Sequence, residues 1–169
     1  MATAKNILKN FNLFVDGRGY AGNVEELQLP NMALKVDDFR AGGMDSSVAL
    51  DMGQEKMEFS ATLTGFDLDV LKLWGVSTSN VKQFIARGAL EDIDGVVTPV
   101  AAYIGGTIRS LELGAFKAGD KSTLKLTVDV RTYRYEQDGQ EIYNIDIENM
   151  VRTINGVDQL KAKRAALGI

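Results

Sequence analysis

The sequence contains no cysteine and no histidine among its 169 residues. Those two absences exclude a disulfide framework, a Cys/His zinc site, a thiol nucleophile and a Ser-His-Asp triad. Proline is also scarce, with two residues, whereas glycine is frequent, with seventeen. This combination is typical of a turn-rich β-protein rather than of a proline-rich or disordered chain.

Positive charge is limited as well. Nineteen Lys and Arg stand against twenty-three Asp and Glu, a net charge of −4, whereas a protein that wraps nucleic acid needs surplus cations to neutralise phosphates. No stretch approaches the roughly 20 apolar residues of a membrane-spanning helix, and the first ten residues lack the apolar core of a signal peptide. Because 45% of the residues are hydrophobic, the composition predicts one domain over residues 1–169 with a core of its own.

Alternating apolar and polar residues predict strands over most of the chain. The clearest run places Leu124, Leu126, Val128 and Val130 on one face of a long strand. Its hairpin partner is expected to follow the Asp138-Gly139 turn. The preceding strand-like stretch, residues 97–113, is expected to be broken at Pro99 and at the Gly105-Gly106 pair.

Two helices are predicted beside these strands. Leu68, Leu71 and Trp74 recur at three-residue spacing, which predicts a short helix near residues 67–74, with Trp74 as a core anchor. A second helix is expected to close the chain and to end before Gly168. The predicted fold class is therefore mainly β, a β-sandwich or barrel-like domain with two minor helices.

Three motifs resemble chemical sites, and each has a simpler interpretation. The segment from Gly17 to Gly22 matches a dinucleotide fingerprint, but no helix is predicted to begin at its end, which favours a hairpin turn. The acidic pairs Asp37-Asp38 and Asp92-Asp94 lack the spacing of a calcium loop and are interpreted as solvated faces. Tyr133 and Tyr135 are interpreted as cross-strand packing rather than as a nucleic-acid stacking platform. The residues thus indicate no catalytic group, no metal and no cofactor, and a structural or binding role is expected rather than an enzyme.

Several sequence blocks keep a common order along the chain. They are Asn12-Leu13-Phe14-Val15-Asp16-Gly17, Leu27-Gln28-Leu29-Pro30, Arg40-Ala41-Gly42-Gly43-Met44-Asp45, Val48-Ala49-Leu50-Asp51-Met52-Gly53 and Ile154-Asn155-Gly156-Val157-Asp158-Gln159-Leu160. In this order they resemble the major tail tube protein of contractile-tailed bacteriophages and of R-type pyocins. The resemblance runs from about Phe11 to Ile169.

The resemblance implies a subunit that forms hexameric rings, which stack into the inner tube of a contractile tail. Long hairpins would close into one barrel in the hexamer, and DNA would pass through the lumen without specific binding during ejection into the host. The implied partners are other copies of the chain and the tail sheath, tape measure, baseplate and tail terminator proteins. The expected location is the virion tail, assembled in the host cytoplasm. A net charge of −4 suits a lumen that does not hold phosphate.

The resemblance also implies positions for the contacts. An extended inter-ring hairpin segment is expected over about residues 33–64. Candidates for inter-ring or inter-subunit contacts are Arg40, Ala41, Gly42, Gly43, Met44, Asp45 and Asp158. Acidic residues expected on outward strand faces, and therefore candidates for the lumen, are Asp51, Glu58 and Asp129. Two alternatives stay open, namely the tube of a pyocin or type VI-like contractile injection system and a monomeric β-sandwich binding module.

Overall fold

The structure is a computed structural model that describes residues 6–20, 22–75 and 81–169. Within these ranges the chain forms twelve strands and two short helices. The strands are β1 (Ile7–Val15), β2 (Arg18–Gly19), β3 (Val24–Gln28), β4 (Leu34–Phe39), β5 (Val48–Gln54), β6 (Glu58–Thr64), β7 (Lys82–Glu91), β8 (Val97–Leu113), β9 (Thr123–Gln137), β10 (Gln140–Asp146), β11 (Val151–Ile154) and β12 (Val157–Asp158). The helices are α1 (Leu68–Leu71) and α2 (Lys161–Leu167). The mainly β prediction is confirmed.

Ten of the strands belong to one sheet, and β4 and β5 form a separate two-stranded hairpin. The main path of the large sheet is β12-β11-β10-β9-β8-β7-β1-β2, with β6 also paired to β9 and β3 paired to β6. Strand β9 changes partner along its length, from β6 over residues 123–129 to β10 over residues 132–137. The predicted inter-ring segment over about 33–64 therefore includes two different environments, because β6 is part of the large sheet and only β4 and β5 stand apart.

The core lies inside a curled layer of six strands in the order β3-β6-β9-β8-β7-β1. Apolar side chains from β1, β6, β7, β8 and β9 are buried there, among them Phe59 and Phe84, whose ring centroids are 5.7 Å apart. Alternation along β9 follows the prediction, since Leu124, Leu126 and Val128 are fully buried. Burial of this continuous set of apolar side chains is what holds the layer together.

The alternation of β9 is interrupted once, because Val130 and Tyr133 are both buried although three positions apart. The interruption lies opposite Gly105 and Gly106, where the pairing of β8 with β9 shifts register. A Cβ atom on Gly106 would lie 2.3 Å from the backbone oxygen of Asp129, so no side chain fits there. A bulge bends a strand, and here it accompanies the change of partner from β6 to β10. Strand β8 is therefore continuous through both Pro99 and the glycine pair, so the expected breaks were wrong, and the extra residue of the bulge is Arg131 of β9.

The predicted short helix is present as α1 and begins after Asp67. The Asp67 carboxylate accepts hydrogen bonds from the N–H groups of Asp69 and Val70, at 2.9 and 3.0 Å, which is N-capping. Trp74 is 57% exposed, and its indole Nε1 donates to the backbone oxygen of Arg109 at 3.3 Å. The prediction that Trp74 anchors the core was therefore wrong, because the helix buries Val70 instead.

The predicted hairpin between β9 and β10 is confirmed. Asp138 and Gly139 form its two-residue turn with φ of 52° and 72°, the positive values that such turns require. Tyr135 and Tyr143 face each other across the two strands, with ring centroids 6.2 Å apart. This geometry confirms cross-strand packing of the tyrosines.

The end of the chain confirms the C-terminal helix and adds two strands that the sequence analysis did not predict. Helix α2 ends at Gly168, whose φ of 75° is the left-handed cap. Strands β11 and β12 are only four and two residues long, too short to display a period. They meet at the Asn155-Gly156 turn, where both residues have positive φ.

The six curled strands do not close into a barrel in the single chain. Within the described residues, β1 and β3 are the two ends of the layer and do not pair with each other. Closure needs every edge hydrogen bond to be made, so the single chain is not a closed barrel, and closure of the hairpins into one barrel in the hexamer stays a prediction. None of the described helices has the length and apolar content to cross a membrane.

Candidate functional site

The β4–β5 hairpin exposes apolar side chains on both faces, two on one face (Leu34 and Val36, 48% and 56% exposed) and four on the other. Phe39 pairs with Val48, and Asp37 pairs with Leu50, and directly paired residues lie on the same face of a sheet. Alternation adds Met52 to this face. We define the apolar hairpin face as Phe39, Val48, Leu50 and Met52, which are 51%, 50%, 46% and 58% exposed. Contiguous apolar surface of this kind marks an interaction site.

The other face of the hairpin meets the large sheet at its base. Leu34 lines a pocket together with Tyr143 and Ile154, and the Arg152 guanidinium lies 4.0 Å from the Asp51 carboxylate. These contacts anchor the hairpin on one side. The apolar hairpin face is on the opposite side, where it is available to another molecule.

Six of the seven predicted contact residues lie together at the hairpin tip. The N–H of Met44 donates to the carbonyl oxygen of Ala41 at 3.2 Å, and the Arg40 side chain donates to the carbonyl oxygen of Met44, also at 3.2 Å. Gly43 has a φ of 90°, a conformation that favours glycine. The structure thus places residues 40–45 in one turn at the end of the hairpin. Their role in contacts between subunits stays a prediction.

Asp158, the seventh contact candidate, lies in β12 and is used within the chain. Its Oδ1 atom accepts from the N–H of Leu160 at 3.0 Å and from the guanidinium of Arg164 at 3.3 Å. Arg164 also donates to the carbonyl oxygen of Met150 at 2.8 Å. The Arg164 hydrogen bond lowers the pKa of Asp158 below its ordinary value. The ion pair joins α2 to the sheet, and an intersubunit contact of Asp158 stays a prediction.

The Asp158–Arg164 pair makes the stability of the protein depend on pH. Because the folded pKa of Asp158 lies below the ordinary value of 3.8, its contribution is complete above that value and is lost as pH falls through the folded pKa. We expect Asp158→Asn to lower the free energy of unfolding at pH 7, and the difference from the parent chain to vanish at strongly acidic pH. Urea unfolding at a series of pH values measures this.

The matched control for that experiment is Asp94→Asn, since Asp94 is exposed and its side chain forms no ion pair within the described residues. This variant should not differ from the parent chain in its dependence on pH. A constant difference between Asp158→Asn and the parent chain from pH 7 to pH 2 would contradict the assignment.

Two of the three predicted lumen residues lie together, and both are paired with cations. Glu58 and Asp129 are directly opposite in the register of β6 and β9. Arg109 lies 2.5 Å from Glu58, and Lys56 lies 2.7 Å from Asp129. The Arg109 hydrogen bond lowers the pKa of Glu58. Two acids and two bases make this cluster locally neutral.

Asp51, the third lumen candidate, is on β5, and its carboxylate accepts from the N–H of Gly53 at 2.8 Å. The structure therefore does not bring it together with the other two acids. The position of all three in a lumen stays a prediction.

The remaining motifs have structural explanations. Asp16 and Gly17, with positive φ, form the turn between β1 and β2, and no helix begins at the glycine-rich motif among its described residues; Ala21 lies outside them. The Asp92 carboxylate accepts from the N–H groups of Asp94 and Val96 at 3.0 and 2.9 Å, which stabilises the turn between β7 and β8. Among the residues that the structure describes, no three acidic side chains group as metal ligands.

Comparison with known proteins indicates a structural role in an assembly rather than a catalytic role. The family model for the phage tail tube protein FII matches residues 5–168. The chain belongs to the phage tail tube protein FII family. It is thus a structural component of a contractile phage tail and not an enzyme, as the resemblance in the sequence implied.

Two curated members of related phages resemble the chain along most of its length. The tail tube protein of Escherichia phage P2 is 28% identical over 166 residues, which cover 96% of each chain. The major tail tube protein of Serratia phage KSP20 is 25% identical over 157 residues, which cover 80% of this chain and 90% of the relative. The first match covers nearly all of this chain and the second covers four fifths of it, so the tail tube family accounts for essentially the whole domain.

Solved structures share the fold. A chain in the cryo-EM structure of the sheath–tube complex of PVC, an extracellular contractile injection system, matches with a TM-score of 0.58 at 10% identity, over 75% of this chain and 88% of the other. A chain from the tube-terminating cap of the anti-feeding prophage matches with a TM-score of 0.57 at 10% identity, over 75% and 87%. At such identities the likeness concerns the fold alone.

Proposed function

We propose that this tail tube protein polymerises as hexameric rings that stack into the inner tube of a contractile tail, the conduit for DNA ejection into the host. The observation that carries the proposal is the apolar hairpin face. Four large apolar side chains on one face of the hairpin stay about half exposed in the single chain, and covering them by another subunit would remove apolar surface from water.

The strand edges support the same proposal. A strand edge with unpaired N–H and C=O groups invites pairing with another chain, and the curled layer of this subunit ends at β1 and β3 without closing. Joining neighbouring subunits into one closed barrel would satisfy such edges throughout a ring. We include barrel closure in the hexamer in the proposal.

The proposed environment of the tube follows from its place in the tail. The outer surface would contact the tail sheath protein, the ends would contact baseplate and tail terminator proteins, and the lumen would contain the tape measure protein before DNA. Assembly would take place in the host cytoplasm. With a net charge of −4 and the locally neutral cluster at Glu58 and Asp129, the chain offers little to retain phosphate.

Negative-stain electron microscopy of the purified protein at increasing concentration tests the proposal. We expect rods of stacked rings with a hollow centre, together with a sedimentation coefficient that rises with concentration. The matched control is the same protein in dilute solution, where single subunits should predominate because assembly follows mass action. Dispersed monomers at every concentration would contradict the proposal and would favour a monomeric binding module.

A further inference from the structure

The curled layer has a seam between its two end strands. Strand β1 pairs with β7 on one side, and on its other side it pairs with β2 only at Phe14 and Val15. Within the described residues β3 pairs with β6 alone. The N–H of Tyr20 also donates to the carbonyl oxygen of Leu13 at 2.8 Å. The seam therefore presents two strand edges that lack a neighbour among the described residues, over residues 7–12 of β1 and along β3.

An apolar cavity of about 160 Å³ lies in this seam. Its lining includes Leu8 and Phe11 from β1, Leu27 and Leu29 from the β3 side, and Val100 and Tyr135 from the opposite strands. Gly88 also lines it, and its lack of a side chain helps to keep the space open, because a Cβ there would lie 2.8 Å from Leu8 and 3.0 Å from Val100. An apolar protein cavity of roughly 150 Å³ is large enough for a benzene ring. The seam thus has room for one aromatic side chain.

We infer that this cavity receives the ring of Phe39 from the hairpin of a second copy of the chain. The inference rests on the proposed function and names the two surfaces that would meet. Phe39 is the aromatic residue of the apolar hairpin face, and it lies at the tip end of β4. A six-residue strand extends the hairpin by ~20 Å, which gives Phe39 the reach to enter a neighbour.

The contact uses two different surfaces of the same subunit. Such a head-to-tail interface propagates from copy to copy and generates a ring or a stack, whereas a self-complementary interface stops at a dimer. Each subunit would contribute a hairpin to one neighbour and a seam to another. Insertion of the hairpin also brings a strand to the edges that the seam leaves open, which is the geometry of β-augmentation.

Charge favours the hairpin as the occupant. Lys9 and Arg87 lie on the β1 side of the seam, and neither forms a salt bridge within the described residues. The Arg87 guanidinium lies 5.8 Å from the centre of the Phe14 ring. Asp37 shares the face of Phe39, whereas Asp38 lies on the opposite face with Ala49, so docking would bring the Asp37 carboxylate toward these two cations.

A second exposed aromatic residue, Phe116, is a poorer match. It is 85% exposed, but its ring is already 5.2 Å from that of Phe66. Lys117 and Lys121 follow it closely in the sequence; their charge has the same sign as that of Lys9 and Arg87 on the β1 side of the seam, and Lys121 already lies 2.6 Å from Glu25 of β3 in the same chain. Phe116 therefore serves as the matched alternative in the test.

Cross-linking tests the inference directly, because the chain has no cysteine of its own. Val48→Cys marks the hairpin beside Phe39 without removing the ring, and Leu29→Cys marks the seam. The two variants, carrying tags of different size, are mixed at a concentration at which the parent chain assembles and treated with a short bismaleimide. We expect a covalent dimer that contains both tags. Lys117→Cys mixed with Leu29→Cys should give at least tenfold less of it.

The contribution of the ring is isolated in the Val48→Cys background. Adding Phe39→Ala should lower the yield of the mixed dimer roughly tenfold, whereas adding Val36→Ala, on the opposite face of the hairpin, should leave it unchanged. Replacing Asp37, which shares the face of Phe39, by lysine should also lower the yield. Combining that change with Lys9→Glu and Arg87→Glu in the seam partner should restore it.

The outcomes separate this inference from the proposed function. If the parent chain forms tubes but the Val48→Cys and Leu29→Cys variants give no mixed dimer, the docking of Phe39 is overturned and the tube function is left intact. A Lys117–Leu29 cross-link stronger than the Val48–Leu29 one would assign the seam to the Phe116 loop instead. Cross-linked chains that form no tubes at any concentration would support the contact and contradict the proposed function.

Discussion

Replacing both Phe39 and Leu50 by serine is expected to raise the concentration required for tube assembly roughly 30-fold while leaving the subunit folded. Each side chain is about half exposed, so covering the remaining apolar surface on assembly is worth about 1 kcal/mol per residue. Two residues together then contribute about 2 kcal/mol per contact, which corresponds to roughly a 30-fold change in affinity. The fold is retained because neither residue belongs to the buried core of the large sheet.

A pelleting assay over a range of concentrations measures the assembly threshold, and circular dichroism of the dilute protein measures the fold. The matched control is Val36→Ser with Ala49→Ser, which changes two small apolar residues on the opposite face of the same hairpin. The control should assemble close to the parent threshold. If both double variants shifted the threshold equally, the apolar hairpin face would not be the assembly surface.

Gly106→Ala is expected to destabilise the subunit by about 3 kcal/mol. The added Cβ would lie 2.3 Å from the backbone oxygen of Asp129 and 2.7 Å from a methyl group of Val128. Neither atom can move away without shifting β9, because the oxygen belongs to the backbone and Val128 is fully buried. Urea unfolding below the assembly threshold gives the free energy.

Two other glycines calibrate this prediction. Gly42→Ala should change the free energy of unfolding by less than about 0.5 kcal/mol, because its Cβ would have nothing within 4 Å and its φ is not positive. Gly105→Ala should lie between the two. Its Cβ would meet the Thr132 hydroxyl at 2.3 Å, an atom that can rotate away. Equal stability of the Gly106→Ala and Gly42→Ala variants would show that β8 and β9 can separate at the bulge at no cost.

Local sequence patterns predicted the elements that depend on local physics. The alternation from Leu124 to Val130 identified β9 because the side chains of a strand point to opposite faces in turn. Asp138-Gly139 identified a hairpin because positive φ is required at both positions. A break of β8 was expected at Gly105 and Gly106, where the structure has a bulge of β9 opposite the two glycines, since glycine in a strand indicates an irregularity without showing whether pairing resumes beyond it.

The sequence was less informative about residues whose role depends on distant parts of the chain. Trp74 stands at helical spacing from two leucines, yet its side chain is exposed and its indole N–H donates to the backbone oxygen of Arg109. Asp158 belongs to a sequence block shared with the tail tube family. Its pairing with Arg164 depends on the packing of α2 beside β12, which the local sequence does not show. The cavity in the seam had no local signal, because its lining comes from five strand regions distant in sequence.

By itself, the sequence determined the chemistry that this protein cannot perform and the class to which it belongs. Without histidine or cysteine, it lacks the side chains of most zinc sites and nucleophilic triads, and the order of its sequence blocks indicated a tail tube protein. Tertiary structure alone decided which apolar residues stay uncovered. Leu50 and Leu126 have the same side chain, and each belongs to a row of apolar residues at every second position of a strand, but Leu126 is buried in the curled layer and Leu50 stands on a separate hairpin. Burial depends on what packs opposite a face, which is a property of the fold and not of the local pattern.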